Sequence, residues 1–267
     1  MTHANPFESF PARAYLEKYY SYVGAENDAM LRALADFARH LEPRFDRVVE
    51  VGGGPSIVPV LALCATLERS PGSVTFMDIC PKNLDEAASW LDHETMAFDY
   101  TAVLRWLETQ HGVTISNIER LAMSSDWRFP VVDLRQSLAG WMVHAFDTIS
   151  SHFFAESVTS DRDTFITLLK RIADLGAPEA TVFLSFMRRS QGYSIGGIDF
   201  PALSVDEETL PNLLAAGGLH LLDAQYLTIN AETPPTRTGY EGMVFIGGTL
   251  SDVPAARPRQ RQVVAAR

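Results

Sequence analysis

The chain has 267 residues, 46% of them hydrophobic and 21% charged. That length buries one large core or two small ones, and the composition excludes a mainly disordered, collagen-like or coiled-coil protein. Acids outnumber bases by 33 to 22, a net charge of −11 that repels phosphate backbones and argues against a nucleic-acid partner. No apolar run reaches the roughly 20 residues of a membrane span. The N-terminal stretch MTHANPFESFPARAYLEKYY has no apolar signal core. Cys64 and Cys80 have neither redox nor metal spacing, and no histidines are paired. The expectation is a cytoplasmic protein with two reduced thiols, no metal and no membrane partner.

Residues 11–42 read as helix, broken near Gly24. The run Arg47 to Val51 reads as a strand. It enters Gly52-Gly53-Gly54-Pro55-Ser56, and a helical apolar stretch runs from Ile57 to Leu67. Val74 to Ile79 is a second strand. Pro81 opens a helix to about Leu91, since proline is tolerated in a first turn. Phe98 to Leu107 is read as helix, and 108–128 has no clear pattern. Strands are expected at Phe129 to Leu134, Phe146 to Ser151 and Ala180 to Phe186, with a helix at Asp161 to Leu175 stopped by Gly176 and Pro178. The glycines of Gly192 to Phe200 suggest a hairpin. A helix at Asp206 to Ala216 and strands at His220 to Ile229 and Tyr240 to Gly248 close the pattern. Alternating strands and helices ending in an antiparallel pair predict an α/β sheet covered on both faces. From Ser251 onward the chain is a basic tail with four arginines against one aspartate, expected to be disordered.

The glycine turn lies between a strand and a helix, where bare peptide and free N–H groups face a ligand. The GxGxxG phosphate fingerprint needs a third glycine at 57, and Ile57 stands there. Asp78 ends the second strand, where an acid accepts both hydroxyls of a ribose. Asp133, after the expected third strand, is placed to meet an adenine amino group. A nucleoside ligand without a pyrophosphate suits these residues, which favours S-adenosylmethionine (SAM) over NAD.

The segments Tyr15-Leu16-Glu17-Lys18-Tyr19-Tyr20-Ser21, EVGGGPSI, Met77-Asp78-Ile79-Cys80-Pro81-Lys82-Asn83-Leu84 and Ala97-Phe98-Asp99-Tyr100 fall in one order along the chain. That series closely resembles the SAM-dependent small-molecule methyltransferases that include nicotinamide, phenylethanolamine and indolethylamine N-methyltransferases. The resemblance implies a Rossmann-like class I methyltransferase fold, a seven-stranded mostly parallel sheet with an antiparallel final hairpin. It implies an N-terminal helical lid over 1–45, a SAM-binding domain over 46–250 and a cap inserted at about 93–128. From its position, the segment from about Glu108 to Arg128, which holds His111, Met123 and Trp127, is expected to cover the active site as that cap.

By the same resemblance Tyr15 and Tyr20 touch the methionine end of SAM, Gly52, Gly54 and Ser56 form the loop beneath it, Asp78 and Asn83 hold the ribose, and Asp133 and Leu134 hold the adenine. His152 falls where relatives carry a small hydroxyl residue facing the sulfonium. Val58 replaces a tyrosine near the cofactor. Ser185 replaces the acid that orients an amine substrate, and Arg188 and Arg189 follow it at the rim. Ser185, Arg188 and Tyr193 are the expected substrate-pocket residues, with Tyr193 and the Gly196-Gly197 turn as wall. His152, Ser185, Tyr19 and Tyr193 are the candidates for orientation or proton relay.

The expected activity is methyl transfer to a small molecule, foremost to nitrogen of an amine or heterocycle. Loss of the amine-orienting acid keeps O- or S-methylation of a specialised metabolite open, and a non-catalytic SAM-binding protein behind it. A monomer is expected.

Overall fold

A computed structural model describes residues 6–231 and 239–251, so the basic tail from residue 252 lies outside the described residues. Its centre is a seven-stranded sheet. Four strands run parallel at its heart: β1 (Arg47–Val51), β2 (Ser73–Met77), β4 (Phe146–His152) and β5 (Gly176–Arg188). A short β3 (Asp126–Arg128) adds to β2 in parallel at one edge. At the other end β8 (Leu221–Asn230) and β9 (Gly242–Leu250) form the antiparallel closing hairpin, with β9 inserted between β5 and β8. The order is β3-β2-β1-β4-β5-β9-β8.

Period-two alternation sends neighbouring side chains of each strand to opposite faces. Val48, Phe183 and Phe245 join the core under α2 (Ala25–Leu41), α3 (Val58–Leu67), α5 (Thr101–His111) and α6 (Ile115–Met123). Val49, Val182 and Val244 join the other core, under α7 (Arg162–Leu175) and α8 (Leu210–Ala216). Helix α3 is apolar on almost every side because the sheet, α2, α5 and α6 enclose it. Gly24 caps α2 and separates it from α1 (Ala12–Tyr20), and Pro81 opens α4 (Pro81–Leu91).

Two regions depart from the sequence reading. The third strand lies at Asp126–Arg128, and of 129–134 only Val131 pairs in β register, as an isolated bridge to Asp78. Pro130 has no N–H to donate, which interrupts a ladder there. The segment 108–128 is also no cap over the cavity. Ile118, Leu121 and Ala122 of α6 are buried on the core beside α3, Trp127 lies on the sheet edge, and none of these residues reaches the cavity described next. The cover comes instead from α1 and from the hairpin of β6 (Tyr193–Ile195) and β7 (Ile198–Phe200). Lys18 Nζ donates to the Ser194 carbonyl at 3.2 Å, tying the two together.

Candidate active site

A cavity opens at the carboxyl ends of β1, β2 and β4, where α/β sheets carry their ligands. It holds about 970 Å³ of empty space, its open mouth included. Its floor is the Gly52-Gly53-Gly54 turn. Gly52 takes a φ of +61°, and a Cβ there would fall 2.0 Å from the Phe154 ring, so this position excludes any side chain. The Gly52 amide donates to the Met77 carbonyl at 2.9 Å, which fixes the turn against the end of β2.

Asp78 follows β2 directly. Its Oδ2 accepts from the Gly54 amide at 3.0 Å, and its Oδ1 accepts from the Cys80 amide at 2.8 Å and from Asn83 Nδ2 at 3.1 Å. Burial nevertheless pushes its carboxyl above the usual range. The buried Asn83 Oδ1 has no hydrogen-bond partner among the described residues. A carboxylate lodged beside an open glycine turn, with an orphaned amide oxygen next to it, fits a ligand that brings hydroxyl donors. The ribose of a nucleoside is such a ligand, and Asp78, Asn83 and the turn are the residues that would hold it.

The opposite wall is aromatic. Tyr15 packs on Tyr19 with ring centroids 4.9 Å apart, and on Tyr20 at 6.1 Å. The Tyr20 phenol bonds to Ser56 and Tyr15, and burial raises its pKa. Tyr193 stacks on Phe200 at 5.0 Å and bonds to Ser157, with burial again raising the phenol. Aromatic faces of this kind attract a cation such as a sulfonium.

Of the residues singled out from sequence, the structure gathers Tyr15, Tyr19, Tyr20, Gly52 and Gly54 around the cavity, together with Asp78, Asn83, His152 and Tyr193. Ser56 stands behind Tyr20. His152 has both ring nitrogens engaged, Nε2 at 2.9 Å from the Ser150 hydroxyl and Nδ1 at 2.6 Å from the Ser185 hydroxyl. Burial pushes its pKa down to about 3, so the ring is neutral at physiological pH and does not repel a cation.

Other expected residues stand elsewhere. Ser185 is enclosed behind His152 and does not border the cavity. Leu134 is buried with Val49, Val51 and Met77 in the core under α7. Asp133 is held by Arg135, whose guanidinium donates to its two oxygens at 2.8 and 3.0 Å, outside the cavity lining. Arg188 is a correction: it is no pocket residue, because Glu207 binds it at 2.7 Å and Glu241 at 3.5 Å. Arg189 is likewise paired, with Asp206 and Glu241. The rim therefore carries no unpaired cation at this pair.

The sequence reading missed three acids. Glu26, in the first turn of α2, lines the cavity and accepts from the Tyr240 hydroxyl. Glu156 is fully buried next to lining residue Ser157; it accepts from the Met187 amide at 2.8 Å, and burial pushes it up to about 8. Glu50, the next-to-last residue of β1, lies beneath the turn and is also pushed up to about 8 by burial. Only Glu50 stood in a legible place, one residue before the Val51-Gly52 step of the motif.

The sequence matches the NNMT/PNMT/TEMT family over residues 1–249. Human nicotinamide N-methyltransferase is 24% identical over 230 residues, covering 82% of this chain and 83% of that protein. Rat phenylethanolamine N-methyltransferase is 24% identical over 248 residues, covering 88% and 85%. The fold is shared with the N-methyltransferase NodS from Bradyrhizobium japonicum in complex with S-adenosyl-L-homocysteine. That match has a TM-score of 0.54 at 11% identity and covers 92% of this chain and 95% of NodS. With the match running from before α1 into β9, the chain belongs to the NNMT/PNMT/TEMT family.

Proposed function

We propose that the protein transfers a methyl group from SAM to a small molecule, with nitrogen as the accepting atom. The observation that carries this reading is the Asp78 cradle: a buried carboxyl bonded to Gly54, Cys80 and Asn83 at the floor of an aromatic cavity. SAM supplies an activated methyl on a good leaving group, so the protein's work is alignment and exclusion of water. Asp78 and Asn83 bind one end. Tyr15, Tyr19 and Tyr20 close over the other, with α1 acting as lid. Neutral His152 borders the same space without adding charge.

Nitrogen is favoured by the relatives' activities and by Glu26, whose carboxyl faces the cavity and suits a basic amine. Pairing of Arg188 and Arg189 with acids weakens the case for an anionic acceptor. Methylation of a hydroxyl or thiol is the second reading, supported by Ser185 standing where the sequence resemblance implies an amine-orienting acid. The same reading places a monomer in the cytoplasm.

The test is incubation with SAM and a panel of amines, pyridines, phenols and thiols, followed by mass spectrometry. Gain of one methyl mass on a nitrogen compound is the expected result. Thermal stabilisation by SAM with no methylated product anywhere in a broad panel would overturn catalysis and leave a binding protein.

A further inference from the structure

Glu50 has a place in the molecule that cofactor binding does not explain. It is almost fully enclosed, and its carboxyl bonds to the Ser150 hydroxyl. Its Oε2 has no hydrogen-bond partner among the described residues. Strand pairing sets Glu50 opposite Ser150, and His152 opposite Ser185. Alternation then puts all four side chains on one face of the sheet, in a row across β1, β4 and β5. Within the row Ser150 Oγ is 2.9 Å from His152 Nε2, and His152 Nδ1 is 2.6 Å from Ser185 Oγ. The Tyr20 phenol of α1 is the charge neighbour of Glu50, and the Gly53 backbone closes over its side chain. Burial alone sets the state of the His152 ring.

We infer that Glu50, Ser150, His152 and Ser185 form one buried proton relay, in which Glu50 is the positioning residue that selects the tautomer of His152 at the cavity wall. A neutral imidazole donates from one nitrogen and accepts at the other, and each serine has one hydrogen to give. When Glu50 is ionised, the Ser150 hydroxyl donates to it. His152 Nε2–H then donates to Ser150, and the bare Nδ1 accepts from Ser185.

Protonation of Glu50 reverses the row. The acid then donates to Ser150, Ser150 donates to Nε2, and Nδ1–H donates to Ser185. The row gains only the one proton taken up, and the ring stays neutral and ends in the other tautomer. For methyl transfer, which rests on the function proposed above, Glu50 thereby sets which nitrogen of the His152 ring carries hydrogen at the cavity wall.

The test is ¹⁵N NMR of the ligand-free protein from about pH 6 to about pH 10, with the His152 signals identified by their loss in His152→Gln. In the wild type the ring should pass from Nδ1–H to Nε2–H as Glu50 ionises near 8. Glu50→Gln should hold one tautomer throughout, and so should Ser150→Ala, which cuts the row and leaves the acid in place. A single tautomer across the wild-type titration overturns the relay, as does a switch that persists in Ser150→Ala. SAM binding is measured separately by calorimetry. A switching row in a protein that binds no SAM overturns the methyltransferase reading alone, and SAM binding with a fixed tautomer overturns the relay alone.

Discussion

His152 Nδ1 lies 2.6 Å from the Ser185 hydroxyl, and the two residues are paired positions of β4 and β5. Ser185, which by the sequence resemblance replaces an amine-orienting acid, therefore has its hydroxyl turned to a histidine, behind the cavity wall. Ser185→Ala leaves a buried ring nitrogen without a partner, at a cost of about 1–2 kcal/mol. The expected result is a lower urea midpoint with an unchanged slope, and unchanged SAM affinity by calorimetry. A large loss of SAM affinity with no loss of stability would place Ser185 at the cofactor instead.

Asp78 and Asp133 are both acids at strand ends, but they are held differently. Asp78 is buried at the cavity floor with only neutral donors around it, whereas Asp133 is neutralised by Arg135 outside the lining. Asp78→Ala should weaken SAM binding about 100-fold, the effect of losing about 3 kcal/mol of hydrogen bonds to a charged group. Asp133→Asn should weaken it less than about tenfold. Calorimetric titration of the two variants checks the order, and a larger effect at Asp133 would reverse the assignment.

Much of this was legible because it is local. The β-rich run Arg47 to Val51 announces a strand, and in the structure Val48 and Val49 fall into different cores. Gly52 and Pro81 mark a turn and a helix start through backbone sterics alone. What stayed illegible depends on partners distant in sequence. Arg188 looks like a free cation until the fold brings Glu207 and Glu241 to it. The segment 108–128 has no clear pattern in sequence, and only contact with α3 fixes Ile118, Leu121 and Ala122 of α6 on the core and not over the cavity. Glu26 and Tyr240 are 214 positions apart and meet only because β9 returns beside β5.

Gly52 offers a test of the floor itself. Its φ of +61° is a left-handed conformation, and an added Cβ would lie 2.0 Å from the Phe154 ring. Gly52→Ala forces either the turn or the ring to move, and the ring is fixed next to the buried Ala155-Glu156 segment. The strain costs about 1–3 kcal/mol, and SAM binding should be lost even where the protein still folds. Thermal melts with and without SAM separate the two effects. A variant that melts lower yet keeps its full SAM-induced shift would show that the turn is only a fold element.

Glu156 makes stability depend on pH in an unusual direction. It is fully buried, its carboxyl is pushed up to about 8 by burial, and the Met187 amide donating to it only partly offsets this. In the unfolded chain an ordinary glutamate loses its proton near pH 4.3. Between those values the native state holds a proton that the unfolded state has released. Stability is therefore greatest on the acid side and falls as pH rises, by about 1 kcal/mol per pH unit for this group, levelling off above its folded pKa. Glu50, pushed up in the same way, adds a fall of the same sign. Glu156→Gln keeps an oxygen for the Met187 amide and removes the titration. Urea unfolding at about pH 6 and about pH 8 should show the wild type losing stability between the two, and the variant losing about half as much. Equal losses in both proteins would mean that the Glu156 carboxylate is already ionised in the fold, held by a donor from the cavity side.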